Sequence, residues 1–155
     1  MPTSRTLLVT IALACLAVVG AAVYLQLTKD LLPCPLCVIQ RYAYLSVAAA
    51  CLIGAWRNSI RAGGGVALLA ALGGLYTVGD HLWVLAHPGL SCGIDPKETF
   101  LNKLPTATYL PSVFRADGLC EDALDTLFGL SIPQWSGITF VAITAALIFV
   151  LARRR

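Results

Sequence analysis

Four apolar runs, each ended by charge, organise this chain. Thr6 to Thr28 carries no charged side chain. At about 1.5 Å per helical residue it is long enough to cross a hydrocarbon layer of about 30 Å. Tyr42 to Trp56 is shorter and reaches spanning length only by extending back to Leu36, with Arg41 inside. Ala62 to Gly79 continues past Asp80 and His81 into Leu82–Ala86, and Trp135 to Ala152 stops at Arg153, Arg154 and Arg155. The pattern predicts an all-α membrane protein, a four-helix bundle with spans over residues 6–28, 36–56, 62–86 and 135–152. The first run exceeds the 7–15-residue apolar region of a secretory signal, so it reads as a retained span.

The connections follow from those spans. Residues 29–35 form a short loop and residues 87–134 a long one, both on the same side, while Arg57–Arg61 is a tight turn on the other. The long loop carries Pro88, Pro96, Pro105, Pro111 and Pro133, which predicts mostly irregular backbone. Within it, Glu98–Leu104 is a helical candidate, and Glu121–Leu130 is another, with Leu124, Leu127 and Phe128 at helical spacing. Tyr109 to Phe114 is apolar enough to lie on a membrane surface or to pack on the helix ends. Trp83 and Trp135 fall at one interface and Trp56 at the other, where aromatic belts form.

Composition supports lipid as the solvent. Of 155 residues, 58% are hydrophobic and 12% charged, against about 25% charged in soluble domains. Charge also sets the orientation. Arg5, Arg57, Arg61 and the terminal arginines share one side with no acid, whereas all 8 acids lie on the other side with Lys29, Arg41, Lys97, Lys103 and Arg115. Short-loop Lys/Arg excess marks the cytoplasmic face, so both termini are expected inside. No internal repeat, nucleotide loop or nucleic-acid patch is present.

The 6 cysteines divide by location. Cys15 and Cys51 lie within spans and are expected to pack as small buried hydrophobes. Cys34, Cys37, Cys92 and Cys120 fall on the outer side, where disulfides persist, and four cysteines allow three pairings that sequence does not choose among. Cys34-Pro35-Leu36-Cys37 opens a helix, a position that favours the thiolate through backbone N–H groups and the helix dipole. Arg41 lies one turn beyond Cys37 on the same face, able to stabilise a thiolate or charge on a reduced acceptor. A structural disulfide beside a snorkelling arginine is the plainer alternative. Gln26 and His81 reach the same depth from the first and third spans, so three helices each offer a hydrogen-bonding group suited to a quinone carbonyl. His87 is expected to be a loop residue.

Pro33-Cys34-Pro35-Leu36-Cys37-Val38-Ile39-Gln40-Arg41 resembles the signature of the bacterial disulfide bond formation protein B (DsbB) family. The likeness extends over four spans, an early C-x-x-C, two later loop cysteines and Ile132-Pro133-Gln134-Trp135 before the last helix. It implies a protein-disulfide:quinone oxidoreductase of the bacterial inner membrane, with its cysteine loops periplasmic. Cys92 and Cys120 would oxidise a DsbA-like thioredoxin-fold partner. Cys34 and Cys37 would pass electrons to ubiquinone or menaquinone, with Arg41, Gln26 and His81 near the quinone and no metal. The resemblance implies an order too: the partner attacks Cys92, the freed Cys120 attacks Cys34, and Cys37 is left as thiolate. A partner couple near about −120 mV is already strongly oxidising, so a glutathione-like acceptor is too weak and a respiratory quinone is needed.

Three competing readings are weaker. A vitamin K epoxide reductase-like enzyme places its C-x-x-C after the loop pair, whereas here it comes first. A four-thiolate metal protein is disfavoured because structural zinc sites use closely spaced pairs, and 27 residues separate Cys92 from Cys120. A non-catalytic scaffold with structural disulfides would not turn over with a thiol protein and quinone. The topology is directly testable: reporters fused at Arg155 and within residues 87–134 are expected to report opposite sides of the membrane. Both on one side would refute the four-span reading.

Overall fold

The computed structural model describes residues 3–87, 96–118, 120 and 126–153. Four long helices form the body: α1 (Ser4–Thr28), α2 (Pro35–Trp56), α3 (Ile60–Ala86) and, after a series of short elements, α7 (Ile132–Ala152). Each is long and apolar enough to cross a membrane, so the chain is an all-α, multi-pass membrane bundle. Local chemistry sets where these helices begin. Thr3 accepts a hydrogen bond from the Thr6 amide at 3.2 Å. Cys34 caps α2, with Pro35 in the first turn, where a missing N–H costs nothing. Gln134 Oε1 accepts from the Ser131 amide at 2.8 Å, so α7 starts at Ile132, ahead of the expected Trp135.

α2 is the hub of the packing. It lies against α1 on one side and α3 on another, and α3 in turn carries α7. The shared core runs from Leu8, Ala12 and Cys15 through Val47 and Cys51 to Ala67, Ala71, Phe140 and Leu147. Cys15 and Cys51 are both fully buried there, as expected of apolar packing. The outward faces carry Leu13, Leu16, Leu52, Ile53, Leu69, Val141 and Ile148, all exposed. Such a surface is stable only where the surrounding solvent is itself apolar.

Small residues bring the backbones together. The turn between α2 and α3 passes through Asn58 at φ 53°, and just beyond it Gly54 meets Gly63. A Cβ on Gly54 would sit 2.7 Å from the Gly63 Cα, and one on Gly63 would sit 2.8 Å from the Ala50 carbonyl oxygen. Farther along α3, Gly74 leaves room for the Phe140 ring, which stacks on Tyr44 with centroids 4.0 Å apart. The Tyr44 hydroxyl donates to the Ser136 carbonyl at 3.1 Å, so its buried O–H is satisfied within the bundle.

The remaining elements gather at the end of the bundle where α2 begins. They are α4 (Pro96–Asn102), α5 (Pro105–Tyr109) and α6 (Pro111–Phe114), then a hairpin of β1 (Thr126–Leu127) and β2 (Leu130–Ser131). Val38, Leu101, Phe114 and Ala116 bury one another, and Phe114 stacks on Tyr42 at 4.7 Å. Tyr42 also hydrogen-bonds Thr106, and Asn102 exchanges two 2.8 Å hydrogen bonds with the Ala116 backbone. Much of the loop therefore packs onto α2. The helix expected over Glu121–Leu130 is corrected for its described part. Thr126 pairs with Ser131 and Leu127 with Leu130, and Phe128 and Gly129 turn with φ of 53° and 84°. Two successive positive φ values make a hairpin turn and exclude a helix. Residues 121–125 lie outside the described residues.

The Gly54–Gly63 approach yields a test of the packing. Gly63→Leu must force α2 and α3 apart and is expected to lower stability by about 1–3 kcal/mol, the usual cost of overpacking. Gly65 has nothing within 4 Å of an added Cβ, so Gly65→Ala is the matched control and is expected to be neutral or stabilising. Thermal unfolding of both variants in the same detergent makes the comparison.

Candidate active site

The start of α2 places sulfur at the bundle's loop-covered end. Cys34 is the N-cap: its Sγ accepts from the Cys37 amide at 3.2 Å, and its thiol donates to Cys37 Sγ at 2.8 Å. One helical turn is the only spacing that allows both contacts. Cys34 is 2% exposed and Cys120 6% exposed, both packed on Leu36. Cys34 and Cys37 are both thiols here.

The loop backbone explains how a residue so distant in sequence arrives beside Cys34. The amides of Asp117 and Gly118 both donate to the Pro33 carbonyl, at 3.2 and 3.1 Å. Gly118 is required at this crossing, because an added Cβ would strike the Leu32 carbonyl group, whose carbon lies 2.8 Å away. Cys120 stands two residues beyond Gly118, and Cys34 one residue beyond Pro33. Their side chains hydrogen-bond, and that contact first, then the bond to Cys37, then burial push the Cys34 thiol well above its ordinary pKa. A lowered pKa is expected for a C-x-x-C pair at a helix start. At Cys34 the sulfur–sulfur hydrogen bonds and burial shift the thiol the other way.

Behind this sulfur cluster stands His81, fully buried on α3. Its Nε2 lies 3.8 Å from Cys34 Sγ and its Nδ1 3.4 Å from Gln40 Nε2. Gln40 is itself only 6% exposed. It is the one polar side chain of the site that the sequence reading passes over. Its position, three residues after Cys37 on the same helix face, is the signal that could have marked it.

Arg41 occupies the next position, 7% exposed. Its guanidinium donates to the Val113 carbonyl and to Gln26 Oε1, both at 2.7 Å, and Gln26 Nε2 donates to the Ser112 carbonyl at 2.9 Å. Both of these acceptors are neutral. Among the described residues no carboxylate pairs with Arg41, and the groups that interact with it electrostatically are Cys37 and Cys34. Arg41 and Gln26 thus form one unit, whereas His81 neighbours Cys34 and Gln40 and hydrogen-bonds the Cys120 backbone. The carbonyls of Ser112 and Val113 have no sequence signal at all. Cys92 lies outside the described residues. His87 is exposed at the end of α3, stacked on Trp83 at 4.2 Å.

Comparison with known proteins finds relatives along nearly the whole chain. Residues 4–150 match the family described as "Disulfide bond formation protein DsbB". A "Disulfide bond formation protein B" of Herminiimonas arsenicoxydans is 46% identical, over 100% of this chain and 99% of its own length. That of Ralstonia nicotianae is 42% identical over 97% of this chain and 96% of its own. "Disulfide bond formation protein B 1" of Pseudomonas syringae pv. syringae is 42% identical over 93% and 86%.

The Gly118 crossing predicts how the two cysteines keep company. Gly118→Val is expected to displace Cys120 from Cys34 and to slow Cys34–Cys120 cross-linking by a mild oxidant at least tenfold. Cys34–Cys37 oxidation should be unchanged, since it depends on the helix turn alone. Mass spectrometry of alkylated, digested protein over a time course reads both bonds.

Proposed function

The chain belongs to the disulfide bond formation protein B family, and from that premise we propose that it reoxidises a DsbA-like dithiol partner and passes the electrons to a membrane quinone. The observation that carries this reading is the placement of Cys34, hydrogen-bonded both to Cys37 on its own helix and to Cys120 from the loop. A sulfur with two such neighbours can exchange one disulfide for the other without large movement. We place the protein in the bacterial inner membrane with its termini cytoplasmic and its cysteine-bearing end periplasmic, on the distribution of arginines and acids.

The steps balance through thiol–disulfide exchange. A partner thiolate attacks Cys92 of a Cys92–Cys120 disulfide, forming a mixed disulfide and releasing Cys120 as thiolate. Cys120 attacks Cys34 of a Cys34–Cys37 disulfide, forming Cys34–Cys120 and releasing Cys37 as thiolate. The partner's second thiol then resolves the mixed disulfide, which frees oxidised partner and a Cys92 thiolate. Cys92 attacks Cys120 and returns Cys34 as a thiol. Two electrons have moved from the partner to the Cys34–Cys37 pair. A bound ubiquinone or menaquinone supplies the two-electron, two-proton sink.

The residues present fit such a group. Arg41 is a buried cation without a carboxylate among the described residues, one turn from Cys37, so it favours negative charge where the electrons leave the dithiol. Gln26 fixes the fork of Arg41 and offers an amide of its own. His81, the third residue proposed near the head group, stands beside Cys34, where it can hold a proton for that sulfur. The loop residues from 111 to 114 cover this end of α2 and limit access of water.

The test is quinone reduction by the purified protein with reduced DsbA-like partner. Cys37→Ser is expected to abolish quinone reduction while still trapping a mixed disulfide through Cys92. Cys92→Ser should prevent attack by the partner and leave Cys34 and Cys37 oxidisable by quinone. Arg41→Ala should raise the quinone KM and slow reduction, and Arg41→Lys should do less harm because it keeps the charge but loses the planar fork. Normal turnover of partner by Cys92→Ser, or an unaltered quinone KM and rate in Arg41→Ala, would overturn the assigned roles.

A further inference from the structure

We propose that the reduced cysteine cluster also binds one thiophilic divalent cation, Zn2+ or Cd2+, through Cys34, Cys37 and His81, and that oxidation of the cluster abolishes the site. The sulfurs of Cys34 and Cys37 and a ring nitrogen of His81 all lie within 4.8 Å of one another. A tetrahedral zinc with bonds of about 2.3 Å to sulfur and 2.0–2.1 Å to nitrogen requires S···S near about 3.8 Å and S···N near about 3.5 Å. The Cys34–His81 separation of 3.8 Å already approaches this. The Cys34–Cys37 pair, at 2.8 Å, need only open by a rotation of one side chain. A Cys2His set of this kind holds zinc with water in the fourth position.

The surroundings suit a metal as well as the ligands do. A metal-bound histidine generally donates its other N–H to an acceptor. The Nδ1 of His81 faces the Gln40 amide at 3.4 Å, and a half-turn of that amide presents Oε1 in place of Nε2. Two thiolates and a neutral imidazole balance the charge of a divalent cation, so the loaded site buries no net charge. Binding releases two thiol protons and moves no electrons. The sequence reading sets a four-thiolate site aside because the cysteine pairs are far apart. The structure instead completes the set with a histidine from another helix.

Metal and disulfide are mutually exclusive at these sulfurs, so the loaded protein holds its electrons. That consequence rests on the thiol-oxidase reading above; the binding itself does not. The experiment uses the full-length protein in detergent, reduced anaerobically and freed of reductant, with Cd2+ as probe and thiolate-to-metal absorption as the signal. We expect one Cd2+ per chain in reduced protein and none after the Cys34–Cys37 disulfide is formed, a comparison that needs no variant. His81→Ala and Cys34→Ser should each abolish stoichiometric binding, and Gln40→Leu should weaken it about 10–100-fold, as loss of a ligand's hydrogen-bond partner does. A Cys15→Ala/Cys51→Ala protein should bind as the parent does, because those thiols belong to the bundle core. Reduced protein that takes up no Cd2+, equal binding by oxidised protein, or undiminished binding by His81→Ala would each overturn the proposal. Since no partner or quinone is present, these failures leave the oxidase reading standing. Stoichiometric binding by a protein that never reduces quinone would fail the oxidase reading alone.

Discussion

A guanidinium cannot be left in an apolar bundle without acceptors, and the way Arg41 finds them orders the whole cysteine-bearing end. Placing arginine at the centre of a membrane costs about 2.5–3.5 kcal/mol on insertion scales and less toward the interface. Gln26 from α1 and the Val113 carbonyl from the loop meet its N–H groups, so one side chain joins α1, α2 and α6. Tyr42 next to it anchors Phe114 and Thr106. With the loop so fastened, the crossing at Pro33 and Gly118 can bring Cys120 to Cys34. The sulfur chemistry therefore depends on a polar contact that contains no sulfur.

This dependence also explains which polar groups tolerate burial. Hydrogen bonds that satisfy a buried donor or acceptor avoid a penalty of about 1–3 kcal/mol, larger for a charged group. Gln40, Arg41 and His81 all have such contacts. Thr144 is the buried side chain whose hydroxyl finds no partner among the described residues, and it lies on α7, remote in sequence from the site. The lipid-facing surfaces carry the opposite chemistry, with leucine, isoleucine and valine side chains exposed. In lipid, contact between spans relies on close backbone approach more than on hydrophobic expulsion, and Gly54, Gly63 and Gly74 supply it.

Much of this was legible in the sequence, for identifiable reasons. Spans announce themselves through long uncharged runs, and α1 to α3 and α7 are found where those runs lie. The C-x-x-C and Arg41 are linked by helical spacing, which holds whatever the tertiary structure. What failed depended on a tight backbone turn and on contacts between distant segments. Leu124, Leu127 and Phe128 have helical spacing, yet Phe128 and Gly129 turn a hairpin whose tip leaves Phe128 92% exposed. Periodicity could not register a turn fixed by two positive φ values. Nor could it show that Gln26 meets Arg41 while His81 meets Cys34, since all three share a depth. Gln40 drew no attention because a polar residue in a span is informative only when its partner on another helix is known.

The asymmetry among the spans bears on how the chain enters the bilayer during synthesis. α1 and α7 are the most apolar of the four, whereas α2 and α3 are less so and bring Arg41 and His81 with them. A translocation channel that sorts segments by hydrophobicity can release α1 to lipid at once, as it can α7. α2 is different, because one of its arginine's two acceptors, Gln26, belongs to α1 and the other, Val113, follows much later in the chain. Emerging first, α1 is already available as that neighbour when α2 leaves the ribosome. The order of the helices in the gene thus matches the order in which a polar span can be sheltered, and moving α1 to the other end of the chain would leave α2 to insert unaided.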